Sequence, residues 1–324
     1  MNFGSKAGSL SFSSSWQQWI QIHLRYSQDF PPLFRIYQNG HVERFKITQI
    51  LPPSDDPQTG VRSKDSLISP ENAVSARLFL PKTTHPHRKL PLLIYIHGGA
   101  FSIESAFSPL YHHYVTSLAA AANVLAVSIE YRLAPEHPVP ACYDDSWSVL
   151  QWVTRHANGS IPDPDPWLVD HADFTRVFLA GDSAGANIAH NMAVRAGVDG
   201  LGSGLKIVGV VLVQPFFGND EIDKLWMLIC PETSGINDPR LNPAADPGLL
   251  AKPGCTRVLV CVAGKDHLRE RGWSYYEALK KSEWGGSVEI EETEGEPHVF
   301  HLFDPACEKA RTLMKRVVSF MSQD

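Results

Sequence analysis

Three side chains set far apart along the 324-residue chain could together attack an acyl carbon: Ser183, Asp266 and His298. A serine hydroxyl is a weak nucleophile at neutral pH. It needs a base within hydrogen-bond reach and a third group to orient that base. Ser183 is the apex of Gly181-Asp182-Ser183-Ala184-Gly185, between the apolar run Val177–Ala180 and a helix-like segment that begins at Ala184. Strand, sharp turn and helix with a serine at the turn describe a nucleophile elbow, whose glycines let other backbone pass close by.

In such an architecture the partners follow in the order serine, acid, histidine. Asp266 comes directly after R-V-L-V-C-V-A-G, which puts its carboxylate at the carboxyl end of a buried strand, where sheets of this kind collect their sites. His298, in G-E-P-H-V-F-H, lies in the loop after the final strand candidate and can reach back across the strand ends. His301, three residues on, is the reserve base. A neutral imidazole, with an ordinary pKa of about 6.5, takes the serine proton and returns it to the leaving group. Negative charge then builds on a carbonyl oxygen and needs fixed donors. His97-Gly98-Gly99-Ala100-Phe101 follows the strand L-P-L-L-I-Y-I, and the N–H groups of Gly98, Gly99 and Ala184 are the expected oxyanion donors. Each is worth about 3 kcal/mol to the transition state. His97 reads as an orienting residue and not as a base.

The elements that must hold these groups are visible as a change of pattern. From Leu33 the chain reads L-F-R-I-Y, a turn at Asn39-Gly40, then H-V-E-R-F-K, as a hairpin should. Asp55–Gly60 is a loop, and Val74–Leu80 is an alternating strand. After that, Leu90–Ile96, Val124–Ile129, Val177–Ala180, Ile207–Val213 and Val258–Ala263 are short, nearly continuous apolar runs, the mark of strands buried on both faces. Helix-length segments alternate with them: Leu110–Ala122, Cys142–His156, Ala184–Ala196 and Trp273–Lys281. A last strand, Ser287–Glu292, precedes an amphipathic helix over Ala306–Met321. The expectation is an α/β fold: a doubly wound, mostly parallel sheet of about eight strands with antiparallel strands at its beginning. Residues 218–253 break the alternation, with prolines at 231, 239, 243, 247 and 253 around D-K-L-W-M-L-I, and read as a small cap inserted over the strand ends.

Composition narrows the partners. A net charge of -6 offers nothing to neutralise a phosphate backbone, so no nucleic acid is expected. The longest apolar runs have seven residues, far short of the roughly 20 a membrane-spanning helix requires. Cys142, Cys230, Cys255, Cys261 and Cys307 show no ligand spacing, so no metal site and no disulfide framework is indicated, and their odd number suits a reducing compartment such as the cytoplasm. Residues 1–28 form a serine-rich extension holding Trp16, Trp19, Ile20 and Ile22. It reads as a poorly ordered tail, a lid or docking segment, or an organelle-targeting sequence. Residues 29–324 read as a single catalytic domain.

Taken together, H-G-G-A-F, E-Y-R-L-A-P-E-H-P-V-P-A (Glu130–Ala141), G-D-S-A-G-A-N-I-A-H, A-G-K-D and the late His298 resemble the plant carboxylesterases of the hormone-sensitive-lipase-like group, over about Pro31 to Phe320. The stretches P-Q-T-G-V-R-S-K-D, V-S-A-R-L-F-L-P-K and H-A-D-F resemble in particular the 2-hydroxyisoflavanone dehydratase-like branch, which mixes esterases with dehydratases. This resemblance implies the α/β-hydrolase fold, a small uncharged ester as substrate and no cofactor. Dehydratases of the branch tend to carry threonine at the elbow, and related gibberellin receptors lose the histidine. This chain keeps Ser183 and His298, which points to a working esterase. A lyase using the same histidine and oxyanion hole is the alternative, and a ligand receptor on a hydrolase scaffold is a third reading. The chain departs from the group in its N-terminal extension and in a short Phe217–Leu225.

Overall fold

Runs of β-branched and aromatic residues that are buried on both faces pair most readily as parallel strands, and here they do. The computed structural model describes residues 26–82, 88–218 and 223–323. Most of the N-terminal extension, and with it the choice among tail, lid and targeting sequence, lies outside the described residues.

The described chain divides between Ile47 and Thr48 into two compact units. In the first, β1 (Tyr26–Phe30), β2 (Phe34–Tyr37) and β3 (Val42–Arg44) form an antiparallel sheet in that order. The expected hairpin joins β2 to β3 through Asn39-Gly40. Gly40 takes φ +83°, and its N–H donates to the Tyr37 carbonyl at 2.9 Å. The sequence reading set its boundary at residue 28/29, inside β1, because the strand-forming signal of this stretch does not reveal that it closes a sheet of its own.

The second unit is built on an eight-stranded sheet. Its strands are β4 (Arg62–Ser69), β5 (Val74–Leu80), β6 (Leu90–Ile96), β7 (Leu125–Glu130), β8 (Ala172–Asp182), β9 (Ile207–Val213), β10 (Arg257–Ala263) and β11 (Ser287–Thr293). They lie in the order β11-β10-β9-β8-β6-β7-β5-β4. The six strands from β11 to β7 are parallel, and β5 and β4 add to the β7 side antiparallel. Sequence reasoning missed β4, whose R-S-K-D-S-L-I-S is too polar to read as strand. As an edge strand it keeps that polarity in water.

Successive side chains of the central strands enter two different cores. Leu92, Ile94 and Ile96 of β6, with Val177 and Leu179 of β8, pack under α2 (Ala141–Ala157), α4 (Ala184–Asp199) and α7 (Arg269–Lys281). Leu93, Tyr95, Phe178 and Ala180 pack on the other face under α1 (Pro109–Ala122) and α9 (Glu308–Ser322). Short helices α3 (Pro166–His171), α5 (Lys224–Ile229), α6 (Pro247–Leu250) and α8 (Phe300–Phe303) complete the order. The sheet is thus doubly wound, with side chains of the central strands alternating between the two cores. Strand β8 starts five residues before the expected Val177, because Ala172 and Asp173 pair with Leu90 and Pro91 ahead of a register shift. Among the described residues no helix is long and apolar enough to cross a membrane.

Helix α4 sits so close to the loop before β10 that backbone meets backbone. The Gly254 N–H donates to the Ala193 carbonyl at 2.8 Å, and a Cβ on Gly197 would lie 1.7 Å from the Lys252 carbonyl oxygen. Gly197→Ala is therefore expected to destabilise by about 3 kcal/mol or more, lowering Tm by roughly 5 °C. Gly285→Ala, where a Cβ meets nothing within 4 Å, is the control in the same thermal melt. Equal melting temperatures for the two variants would contradict this packing.

Candidate active site

The carboxyl ends of β6, β8, β9, β10 and β11 all deliver a residue to one place, because parallel strands end on the same side of a sheet. Ser183 follows β8 directly and caps the start of α4 at φ 51°, ψ -119°, a conformation that costs a non-glycine residue on the order of 1–3 kcal/mol. Backbone bonds hold it there: its N–H donates to the Val213 carbonyl, and its own carbonyl accepts from the Phe216 N–H, both at 2.9 Å.

Asp266, in the turn after β10, has a fully buried side chain. Its Oδ1 accepts the Leu268 N–H at 2.9 Å and its Oδ2 lies 2.8 Å from His298 Nδ1. The other ring nitrogen, Nε2, is 3.0 Å from Ser183 Oγ. A carboxylate only accepts, so Nδ1 carries the proton and Nε2 is left with a lone pair facing the serine hydroxyl. The structure thus brings Ser183, His298 and Asp266 into one hydrogen-bonded line. The reserve base, His301, is not part of it. Its ring packs edge-on against Tyr114 at 5.1 Å, and burial pushes its pKa down to about 3.

A residue that sequence reasoning missed fixes the histidine loop. Gln214, just past β9 and also left-handed at φ 49°, accepts the N–H of Val299, the residue after His298, which is left-handed at φ 47°. Two residues of positive φ, one after β9 and one in the loop after β11, are tied to each other across β10 through one buried amide.

In the expected oxyanion loop, Gly98 is not a donor to substrate. The Gly98 N–H is already donated to the Tyr111 hydroxyl at 2.8 Å, so it is not free to meet a substrate oxygen. The N–H groups of Gly99, Ala100 and Ala184 have no acceptor among the described residues. Ala100 was not among the expected donors. It belongs to a run of three successive positive-φ residues, Gly99 (105°), Ala100 (53°) and Phe101 (60°), of the kind that turns neighbouring N–H groups inward. Gly98 is glycine for a different reason. A Cβ there would sit 2.5 Å from Asp182 Oδ2.

Asp182, buried beneath the elbow, accepts the Tyr95 hydroxyl on Oδ1 and the Tyr111 hydroxyl on Oδ2, each at 2.8 Å. Desolvation nevertheless pushes its pKa up to about 6 against those two bonds. His97 has its ring stacked on Tyr131 at 4.2 Å and donates Nδ1–H to the Gly98 carbonyl at 2.7 Å. Burial brings its pKa down to about 4. It stays neutral, and its ring is bonded into the donor loop. Glu130 accepts from Ser105 Oγ and the Ala106 N–H, and burial lifts its pKa to about 7.

A sequence model described as the alpha/beta hydrolase fold matches residues 93–302, well over half of the chain. The chain belongs to the alpha/beta hydrolase family. Among its relatives, a 2-hydroxyisoflavanone dehydratase of Glycyrrhiza echinata is 48% identical over 314 residues, which are 91% of this chain and 95% of that protein. "Probable carboxylesterase 1" of Arabidopsis thaliana is 44% identical over 91% of this chain and 97% of its own. Among solved structures, a hyperthermophilic esterase from the archaeon Pyrobaculum calidifontis superposes with a TM-score of 0.63 at 26% identity, over 80% of this chain and 85% of that one.

The buried titratable groups of this hydrolase give it a testable pH signature. His97 and His112 are held down to about 4, and His190 and His301 to about 3, each chiefly by burial. Below about pH 6.5 the unfolded chain binds these four protons and the folded chain does not, so they remove stability as pH falls toward 4. Asp182 and Glu130 act in the opposite sense. Their folded pKa values, about 6 and about 7, lie above the unfolded carboxyl range, so near pH 5 each releases a proton on unfolding. Four taken up less two released leaves a net uptake from these groups of about two protons near pH 5. Urea unfolding at stepped pH should show stability falling with that slope, and His190→Phe should reduce the uptake by about one. A stability that rises from pH 6 to pH 4.5 would contradict the neutral buried histidines.

Proposed function

We propose that this hydrolase is a carboxylesterase that cleaves small uncharged carboxylic esters through an acyl-enzyme on Ser183. His298 Nε2 takes the Oγ proton as Oγ attacks the acyl carbon. The oxyanion is met by the N–H groups of Gly99, Ala100 and Ala184, and His298 then hands the proton to the departing alcohol. Water repeats the sequence in reverse and frees the acid. Asp266 keeps the imidazole in the tautomer this requires. The observation that carries the reading is the hydrogen-bonded line Ser183–His298–Asp266 at 3.0 and 2.8 Å. The plant relatives named as probable carboxylesterases support it.

In the same reading residues 218–253 are a cap, and residues 1–28 lie outside a catalytic domain of 29–324. Support for the cap comes from Trp226, which packs against Phe101 of the donor loop at 5.6 Å. All five cysteines are free and four are buried, which fits a reducing compartment such as the cytoplasm.

One observation favours a second reading: a relative at 48% identity is named a 2-hydroxyisoflavanone dehydratase, level with another at 48% named a probable carboxylesterase. As a lyase, the site would use His298 to remove a proton next to a ketone and the same donors to hold the enolate while hydroxide leaves as water. Ser183 would then only donate a hydrogen bond. Replacing it separates the two. Ser183→Ala should lower kcat for an aryl acetate by about 10⁴ or more with the fold intact, and an organophosphonate should label wild-type Ser183 to one equivalent. Rapid dehydration of a 2-hydroxyisoflavanone by a protein that leaves short acyl esters untouched would overturn the esterase.

The donor loop gives a further expectation. Tyr111→Phe leaves the Gly98 N–H without its acceptor and Asp182 without one donor, at about 1–3 kcal/mol each. Catalysis should suffer more than binding. For an aryl acetate kcat should fall about tenfold or more while KM stays within about twofold. An unchanged kcat would mean that Tyr111 does not hold the loop in its working shape.

A further inference from the structure

On the sheet face covered by α1 and α9, the helices do not close completely over the end of α8. They leave a cavity of about 540 Å³, within the range of small-molecule sites. Its walls are mostly apolar, with Leu110, Leu302, Ala310 and Met314 among them. Ser183, His298 and the donor loop do not line it. Two buried polar side chains do, and the proposed reaction uses neither. The Tyr114 hydroxyl, on a residue 7% exposed, has no hydrogen-bond partner among the described residues. His301, 2% exposed, has two ring nitrogens without partners. Leaving the two buried His301 nitrogens unpaired costs roughly 1–3 kcal/mol apiece, whereas the Tyr114 hydroxyl opens to the cavity. The cavity's lip carries Arg311 and Lys315, both exposed and with no ion pair among the described residues.

An apolar chamber with an unpaired hydroxyl in its wall and two unpaired cations at its mouth is complementary to one kind of small molecule. We propose that this cavity is a second binding site, and that its ligand is a small monocarboxylate with an apolar aliphatic or aromatic body. The body fills the space between α1 and α9, the carboxylate faces Arg311 and Lys315, and Tyr114 donates its hydroxyl proton to a ligand oxygen. A neutral alcohol of the same shape gains the first contact and forfeits the charge-assisted ones, which are about twice as strong as neutral hydrogen bonds. The assignment does not depend on which reaction Ser183 performs, because no residue of that line touches the cavity.

The full-length protein labelled with [methyl-¹³C]methionine, titrated with decanoate, tests this directly. The chain has five methionines, and among the described ones Met314 lines the cavity. The Met314 methyl resonance should shift saturably, and decanol should bind at least about tenfold more weakly. Ala121→Trp, at an exposed position on the cavity wall, should abolish the shift by occupying the space. Arg311→Glu should weaken decanoate about tenfold. Both positions are exposed, so the variants keep the fold, and an unchanged thermal melt verifies that. No shift at Met314, a shift indifferent to both substitutions, or decanol binding as tightly as decanoate would each overturn the proposal.

Discussion

The site depends on a close approach of three pieces of backbone at the elbow. A Cβ on Gly181 would lie 2.5 Å from the Gly185 carbonyl group and 2.7 Å from the Ile96 carbonyl oxygen. A Cβ on Gly185 would lie 2.0 Å from that same oxygen. Strand β6, strand β8 and helix α4 therefore meet with no side chain between them, and this forces the turn at Ser183 into its left-handed conformation. The nucleophile is held by the sheet and not by a loop. Its strain persists because the surrounding packing over-determines it.

Around that fixed point, buried polar groups set the positions of everything else. Asp182 ties β6 and α1 together through Tyr95 and Tyr111, and Tyr111 in turn holds the donor loop by its Gly98 N–H. A carboxylate so deeply buried is costly to keep charged, which is why its pKa rises in spite of two good donors. On the other side of the serine, Gln214 performs the same service for the histidine loop. The two networks flank Ser183, and neither reaches it by a direct side-chain bond.

What was legible in the sequence is what local pattern encodes. The apolar runs gave the parallel strands, and the glycines around Ser183 gave the elbow. Strand-end placement gave Asp266 and His298, and the structure brings both to the serine. Long-range pairing was not legible. Tyr111 lies 13 residues beyond Gly98, in a helix whose pattern announces only an apolar face, so nothing local indicates that its hydroxyl takes the N–H assigned to the oxyanion. Gln214 looks like an ordinary residue after a strand, and its partner is 85 positions away. Strand β4 escaped notice for a different reason. An edge strand has a free side to keep in water, and polarity erases the signal by which buried strands are read.

The opposite edge of the sheet carries the same trait further. Strand β11 is acidic along its length, with Glu289, Glu291 and Glu292. Arg316 of α9 reaches Glu289 and Glu291, and Arg269 of α7 reaches Glu292. Those cations come from the helices on either face, so the glutamates of this border strand are paired across both faces of the sheet. Each pair links the border strand to a covering helix, so a charge placed there also fastens the helix to the sheet. An open row of backbone donors and acceptors is otherwise a template for endless stacking. Charged residues and helix-borne cations at this border, with none of the long apolar run of the central strands, are what an edge strand needs if it is not to pair with another chain.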